Sequence, residues 1–285
     1  MKHLTIKYII PLLILTSKSL IVSGDETTAL MAMENSVNPL ILLSTSLGDI
    51  YIELFPTEAP ENVQNFIALA HGEIEFKDPN SNNLFKPRYY DGMQFHKVVP
   101  ENFVQAGSPV FNPLGNPEKL LNDEINADLL GLNQQKVMDT SGNLNSLLNI
   151  GNKREFQKEL LNPILDHLNI GSEAQILERQ HEIYNLLNQI TIKQAYEFQG
   201  YLYQNDITTR EINRGIVALA NTGPNTNGPE FFIALQNMPW LDGRHTVIGK
   251  VVEGINTVDA IGITAIDPLD PSQFATLIYS LRRIN

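Results

Sequence analysis

The stretch Ala220-Asn221-Thr222-Gly223-Pro224-Asn225-Thr226-Asn227-Gly228, running on through Pro229 and Glu230 to Phe231-Phe232, decides the fold. Its glycines, prolines and asparagines favour turns and oppose helix. Apolar runs flank it, Gly215 to Ala220 before and Glu230 to Leu235 after, and both read as strands. Alternation along the second run turns one of Phe231 and Phe232 inward and the other outward. Eight residues after Phe232 comes a second unusual cluster, Trp240-Leu241-Asp242-Gly243-Arg244-His245. A long constrained loop between strands, with aromatics close by, suits the rim of a barrel or sandwich and a small apolar pocket.

Outward from this centre, more short strands appear. Leu40 to Leu43 and Ile50, Ile52 and Leu54 flank the turn Leu47-Gly48-Asp49 and predict a hairpin. Met93 to Val99, Phe103 to Ala106, Thr246 to Val252 and Phe274 to Arg283 are further strand candidates. Two helices are expected. One starts at Pro60, capped near Thr57 or Ala59, carries Val63, Phe66, Ile67 and Ala70 at helical spacing, and ends at Gly72. The other covers Ile255 to Ile261. Residues 73–90 read as a polar loop without chemistry, and residues 107–118 as a Gly/Pro/Asn-rich connection. The chain is therefore expected to be mainly β, a closed barrel or a sandwich.

Residues 134–210 have another character, rich in Leu, Asn, Gln, Glu and Lys. They read as an inserted helical subdomain. Asn162-Pro163 looks like a cap and first helical residue, and Ser172 like the cap of a longer helix whose apolar face runs from Ile176 to Tyr201.

Length and composition agree with one domain plus an extension, or two modest domains. The 285 residues are 42% hydrophobic and 8% aromatic, enough for a packed core. The absence of cysteine excludes disulfides, thiolate nucleophiles and cysteine zinc sites, and leaves the compartment open. A net charge of -12 argues against non-specific nucleic-acid binding. Residues 1–24 read as a secretory signal: Lys2 and Lys7 precede the apolar run Tyr8 to Leu15, Lys18 beyond it spoils a clean hydrophobic region, and Val22-Ser23-Gly24 fits a cleavage site. The alternative is an uncleaved membrane anchor. Residues 25–38 read as a linker to a domain over 39–285. Export would make the protein periplasmic or secreted, and removal of three lysines would deepen its charge.

Standard catalytic motifs are missing. His181-Glu182-Ile183-Tyr184-Asn185 lacks the second histidine of a zinc helix, no nucleophile elbow appears, and Gly249 to Gly254 is not a phosphate loop. The six histidines show no metal spacing.

What remains is Phe95-His96-Lys97-Val98-Val99-Pro100 with Phe103-Val104-Gln105-Ala106-Gly107, together with the two clusters above. These segments resemble the cyclophilin family of peptidyl-prolyl isomerases, of an exported bacterial type, over about residues 39–133 and 211–285. The resemblance implies an eight-stranded antiparallel β-barrel capped by two helices, with a prolyl-peptide groove on its outer face. It implies isomerisation of X-Pro bonds, with no metal and no cofactor. The family's catalytic arginine falls on Lys97, and Gln105 matches a glutamine that positions cation and substrate. The proline slot falls on Phe103, Phe232 and Leu241, with His245 at its edge and Trp240 lining the groove. Ala220 and Asn221 face the peptide backbone. Thr222 lies toward a neighbouring specificity pocket, with Lys119 and Leu120 at its rim. His96 reads as a structural histidine.

Three positions depart from the family pattern. Lys97 keeps a charge but loses the planar fork of arginine. Asn102 replaces a slot phenylalanine, with Phe103 where methionine is common. Glu230 replaces a glutamine, and as an acid it either pairs with Lys97 and draws it away from the prolyl nitrogen or orients it. The alternative reading is thus a prolyl-peptide binding module or chaperone with weak or no turnover. Expected partners are proline-containing polypeptide segments, with the helical insert a possible protein-docking element on a monomer.

Overall fold

The computed structural model describes residues 24–77, 83–115, 117, 119–264 and 275–285. The expected signal over residues 1–24 thus lies almost wholly outside the described residues.

Eight strands form one antiparallel curled sheet. They are β1 Leu40–Thr45, β2 Gly48–Leu54, β3 Lys97–Val99, β4 Phe103–Ala106, β5 Ile216–Leu219, β6 Phe231–Ala234, β7 Val247–Glu253 and β8 Ile278–Arg283. Their order is β8-β1-β2-β7-β5-β6-β4-β3. Backbone bonds from Gly92 to Ile278, from Ile278 to Met93 and from Phe95 to Thr276 tie the two ends of the sheet together. The strand expected over Met93 to Val99 is regular only from Lys97, because its first half is spent on that closure.

Side-chain alternation sorts the strands into two layers. One face packs the interior: Ile41, Leu43, Ile50, Ile52, Leu54, Val104, Val217, Phe231 and Ile233 are all buried there. The helix Pro60–His71 caps it with Val63, Phe66 and Leu69, and the helix Ile255–Gly262 with Val258 and Ile261. The opposite face of β5 and β6 carries Ile216, Ala218, Phe232 and Ala234, which pack with Phe103, Trp240 and Leu241 in a separate cluster. Phe231 therefore points in and Phe232 out, as the alternation predicts.

The helix starts at Pro60 behind Ala59, as the sequence places it, but what satisfies its first amides lies far along the chain. Ala59 is the cap residue and offers no side-chain bond. The orphan amides at this end are met instead by Glu124, whose carboxylate accepts from Glu61 N at 3.0 Å, Asn62 N at 2.9 Å and Asn62 Nδ2 at 2.8 Å. Gly72 closes the other end in the left-handed conformation, as the sequence suggests. Glu124→Ala leaves these buried donors without an acceptor. It is expected to destabilise the protein by about 2 kcal/mol, read as a lower urea midpoint at unchanged m-value.

Residues 25–38 are not a linker. Glu26–Ala32 is a helix, α1, capped by Asp25, and it lays Ala29 against Leu40 and Tyr51. What fixes the following turn is Glu53, wholly buried, whose carboxylate accepts from Glu34 N, Asn35 N and Asn38 Nδ2 at 2.9 to 3.0 Å. Nor are residues 73–90 merely an ornament. Tyr89 and Tyr90 are buried among the interior aromatics, and Tyr90 Oη donates to Pro229 O at 2.9 Å.

Between β4 and β7's neighbour β5 lies the helical segment, with its own core of Leu148, Leu160, Ile164, Ile183, Leu187, Ile192 and Tyr196. That core also takes in Ala127, Leu132 and Val137, so the packed unit begins before residue 134. The long helix expected after Ser172 is broken into Glu173–Glu178, Gln180–Gln189 and Ile192–Phe198, the last with a Thr191/Gln194 capping box. Asn162-Pro163 is not a helix start. Helical turns run without interruption from Lys153–Phe156 through a π-type stretch Gln157–Leu161 into Asn162–His167. Pro163 cannot donate to the carbonyl four residues back. The wider π turn accommodates the ring, and Gln199 Nε2 supplies the missing donor to Glu159 O at 2.6 Å.

Candidate active site

The register places the site residues in one row. Lys97 pairs with Gln105 across β3 and β4, Gln105 with Phe232 across β4 and β6, and Phe232 with Ala218 across β6 and β5. Antiparallel partners share a face, so cation, amide and phenyl ring stand side by side on the outer face. Phe103, two residues before Gln105, is on the same face, with its ring 5.5 Å from that of Phe232. His245 closes the slot from the far side, edge-on to Phe232 at 5.4 Å. Leu241 and Trp240, on the short turn Pro239–Leu241, complete the apolar lining.

The polar groups have definite states. His245 Nδ1–H donates to Leu219 O at 3.0 Å, and burial pushes the imidazole down to about 4, so the ring is neutral at pH 7. Asp242, buried three residues away, accepts from Ile212 N at 2.7 Å, and burial pushes its carboxyl up to about 7. Burial alone would also raise Glu230. Hydrogen bonds from His96 Nε2 at 2.8 Å and Gln105 Nε2 at 2.6 Å, with the charges of His96 and Lys97, outweigh it and hold this carboxyl below its ordinary range.

That geometry decides between the two roles open to Glu230. Its Oε1 is occupied by His96 and Gln105, and no ion pair joins it to Lys97 among the described residues. The Lys97 amine instead lies over the Phe103 ring, 5.1 Å from its centroid, exposed and within the row. His96 is more than a core histidine: it anchors Glu230 while its ring packs on Phe111 at 5.2 Å. Asn102 has left the slot. It donates from Nδ2 to Pro100 O at 3.1 Å and accepts from Gln236 at 2.9 Å, serving the turn between β3 and β4. The slot therefore rests on Phe103, Phe232 and Leu241 without it.

The loop from Ala220 to Gly228 is braced from behind. Leu121 and Asn227 exchange backbone bonds, Asp123 Oδ2 accepts from Asn225 N at 2.7 Å, and buried Asn227 donates to Thr246 Oγ1 at 3.1 Å. Asn221 Nδ2 donates to Arg244 O at 2.9 Å, fixing the loop against the second cluster. Ala220 N donates to Glu230 O, which aligns the loop's start with β6. Thr222 is exposed at the tip, its amide bonded to Thr226 Oγ1. Lys119 and Leu120 are exposed just before Leu121, which bridges to Asn227. Gly107 has φ +83°, and a Cβ there would lie 2.5 Å from Pro229 O, so only glycine lets β4's end pass beneath Glu230.

Sequence reasoning missed Asp123 and Glu124, which support the site through partners about a hundred and about sixty residues away. It also missed the wall that the helical segment sets beside the loop: Lys158, Glu159, Gln199 and Tyr201 flank Asn221, Thr222 and Arg244. No local pattern announces either.

Residues 40–281 match the family described as cyclophilin type peptidyl-prolyl cis-trans isomerase/CLD. A peptidyl-prolyl cis-trans isomerase-like protein of Rhizopus delemar is 27% identical over 230 residues, covering 81% of this chain and 84% of its own. Peptidyl-prolyl cis-trans isomerase B of Streptomyces anulatus is 26% identical over 228 residues, covering 79% and 85%. A crystal structure of a Cryptosporidium parvum cyclophilin type isomerase, obtained in the presence of the dipeptide Ala-Pro, aligns over 86% of this chain and 99% of its own with TM-score 0.49 and 18% identity. With the matched family spanning nearly the whole sheet and both capping helices, the chain belongs to the cyclophilin type peptidyl-prolyl cis-trans isomerases.

Proposed function

We propose that this protein catalyses cis/trans exchange at X-Pro bonds of extended polypeptide segments, with Lys97 as the cation. The observation that carries this reading is the position of the Lys97 amine, beside the slot and unpaired with Glu230. The reaction breaks no bond. Its barrier of about 18–20 kcal/mol is the amide resonance lost on twisting. As the bond twists, the prolyl nitrogen becomes pyramidal and its lone pair localises, and a donor that meets this lone pair stabilises the transition state alone.

Each group has a part in that sequence. Phe103, Phe232 and Leu241 take the proline ring, and neutral His245 bounds the slot without adding charge. Lys97 donates toward the prolyl nitrogen. Gln105 is oriented by its bond to Glu230, and His96 holds Glu230 in turn, so the acid is kept off the cation. Export, supported by Lys2, Lys7 and the run Tyr8 to Leu15, would place this activity outside the cytoplasm. N-terminal sequencing of the protein purified from its source tests that part, and a mature chain beginning at Met1 would overturn a cleaved signal.

The activity is tested with a proline tetrapeptide in a protease-coupled assay. The wild-type chain is expected to accelerate the slow phase in proportion to enzyme concentration. A slow phase unchanged at micromolar enzyme, with the same peptide still bound, would leave a prolyl-peptide binding module.

A further inference from the structure

Between the end of the groove and the helical segment lies a cavity of about 380 Å³, comparable to small ligand sites. Asn221 and His245 line both the groove and this cavity, so an extended chain leaving the slot by that end enters it. Its far wall is Lys158, Glu159 and Gln199, residues of the helical segment.

The wall is built with fixed charges. Pro163 deprives Glu159 O of its helical donor, and Gln199 takes that carbonyl, which pins the backbone at the cavity mouth. The Glu159 carboxylate then spans two cations, Lys158 Nζ at 2.7 Å and Arg244 Nη2 at 3.2 Å. Arg244 is steadied by the Tyr196 ring, 5.6 Å from its guanidinium carbon, and its buried Nε has no hydrogen-bond partner. Two cations and one anion thus face a polar cavity in a chain whose net charge is -12. Arg244 bonds Glu159 and Tyr201 and keeps one buried Nε–H without a partner among the described residues, and Lys158 is mostly exposed. A second carboxylate entering here meets two positive groups and completes the neutralisation that Glu159 begins. A basic side chain meets the same two cations and an acid already engaged.

We propose that this cavity is a substrate subsite for an acidic side chain near the isomerised proline, with Arg244 and Lys158 as its binding residues. The proposal rests on the isomerase reading above. It is tested with the full chain and six-residue peptides holding one proline and a single Glu, Gln or Lys at each of two positions before and two after it. Exchange is followed by NMR line shapes, without a coupling protease. At one position Glu is expected to exceed Gln in kcat/KM by about fivefold, with Lys below Gln. Lys158→Glu is expected to bring the Glu/Gln ratio to one or below, and Lys158→Arg to keep it. Arg244→Gln is expected to abolish it as well, but buries a change. Lys158→Glu, on an exposed side chain, keeps the test independent of folding. A ratio within twofold at every position, or one that survives both Lys158→Glu and Arg244→Gln, overturns the subsite while leaving the isomerase reading intact. No exchange of any peptide overturns both.

Discussion

Lys97→Met is expected to lower kcat/KM for X-Pro isomerisation about 100-fold, with no measurable change in unfolding midpoint. The two halves of that expectation come from the same geometry. Lys97 is exposed, and its amine lies over the Phe103 ring, a contact worth about 0.5–1 kcal/mol at an exposed site. Methionine keeps much of that contact through its own chain. The fold therefore hardly registers the change. The transition state does, because a donor to the pyramidal nitrogen acts only there. KM is expected to stay within about twofold, since the slot is made by Phe103, Phe232 and Leu241. Lys97→Arg makes the complementary measurement. Arginine adds a planar fork at the same register position, so kcat is expected to rise several-fold if the amine is the working donor. Full activity in Lys97→Met would remove Lys97 from the reaction and leave the twist to the slot alone.

Glu230 sharpens the same test. Glu230→Gln keeps an acceptor for His96 Nε2 and for Gln105 Nε2, so the row should hold its shape. An acid-cation pair that withheld Lys97 would make this variant much faster than wild type. Because Lys97 is not in such a pair, the expected change is within about threefold, the size of a residual charge effect on the exposed Lys97 amine.

The parts of this molecule legible in sequence are those whose cause is local. The alternation of Phe231 and Phe232, the left-handed Gly72 and the loop from Ala220 to Gly228 each follow from the residues in place. The site residues were legible for a different reason: they sit in two short runs of unusual composition, and register does the rest. What escaped has distant causes. The turn after α1 depends on Glu53, the capping of Pro60–His71 on Glu124, and the helix around Pro163 on Gln199. Each is a buried acceptor or a single donor meeting backbone groups far along the chain. Such a bond leaves no periodicity. The resemblance could place Glu230 beside the groove, but only the structure could show that its carboxylate is bonded by His96.

Asp242 and His245 should give opposite pH dependences of stability in the same range, separable by two variants. In the unfolded chain the carboxyl titrates near its ordinary value of 3.8, while in the fold burial pushes it to about 7. Between those values the native state binds more protons than the unfolded state, so Asp242 makes stability fall as pH rises. The imidazole titrates near 6.5 unfolded and, by burial, at about 4 in the fold. There the unfolded state binds more protons, so His245 makes stability rise with pH; its contribution is complete above 6.5 and lost toward 4. The Asp242 slope amounts to about 4 kcal/mol and the His245 slope to about 3 kcal/mol across their windows, so they largely offset each other. Asp242→Asn keeps an acceptor for Ile212 N and removes the falling slope. Relative to wild type it is expected to gain about 4 kcal/mol between pH 4 and pH 8. His245→Gln removes the rising slope and is expected to lose about 3 kcal/mol relative to wild type over the same interval. Urea midpoints at pH 4, 5, 6, 7 and 8 read both. Differences from wild type that stay flat with pH in either variant would mean that the residue titrates in the fold as it does in the open chain, and that the slot's far side is wetter than its packing against Phe232 and Leu219 implies.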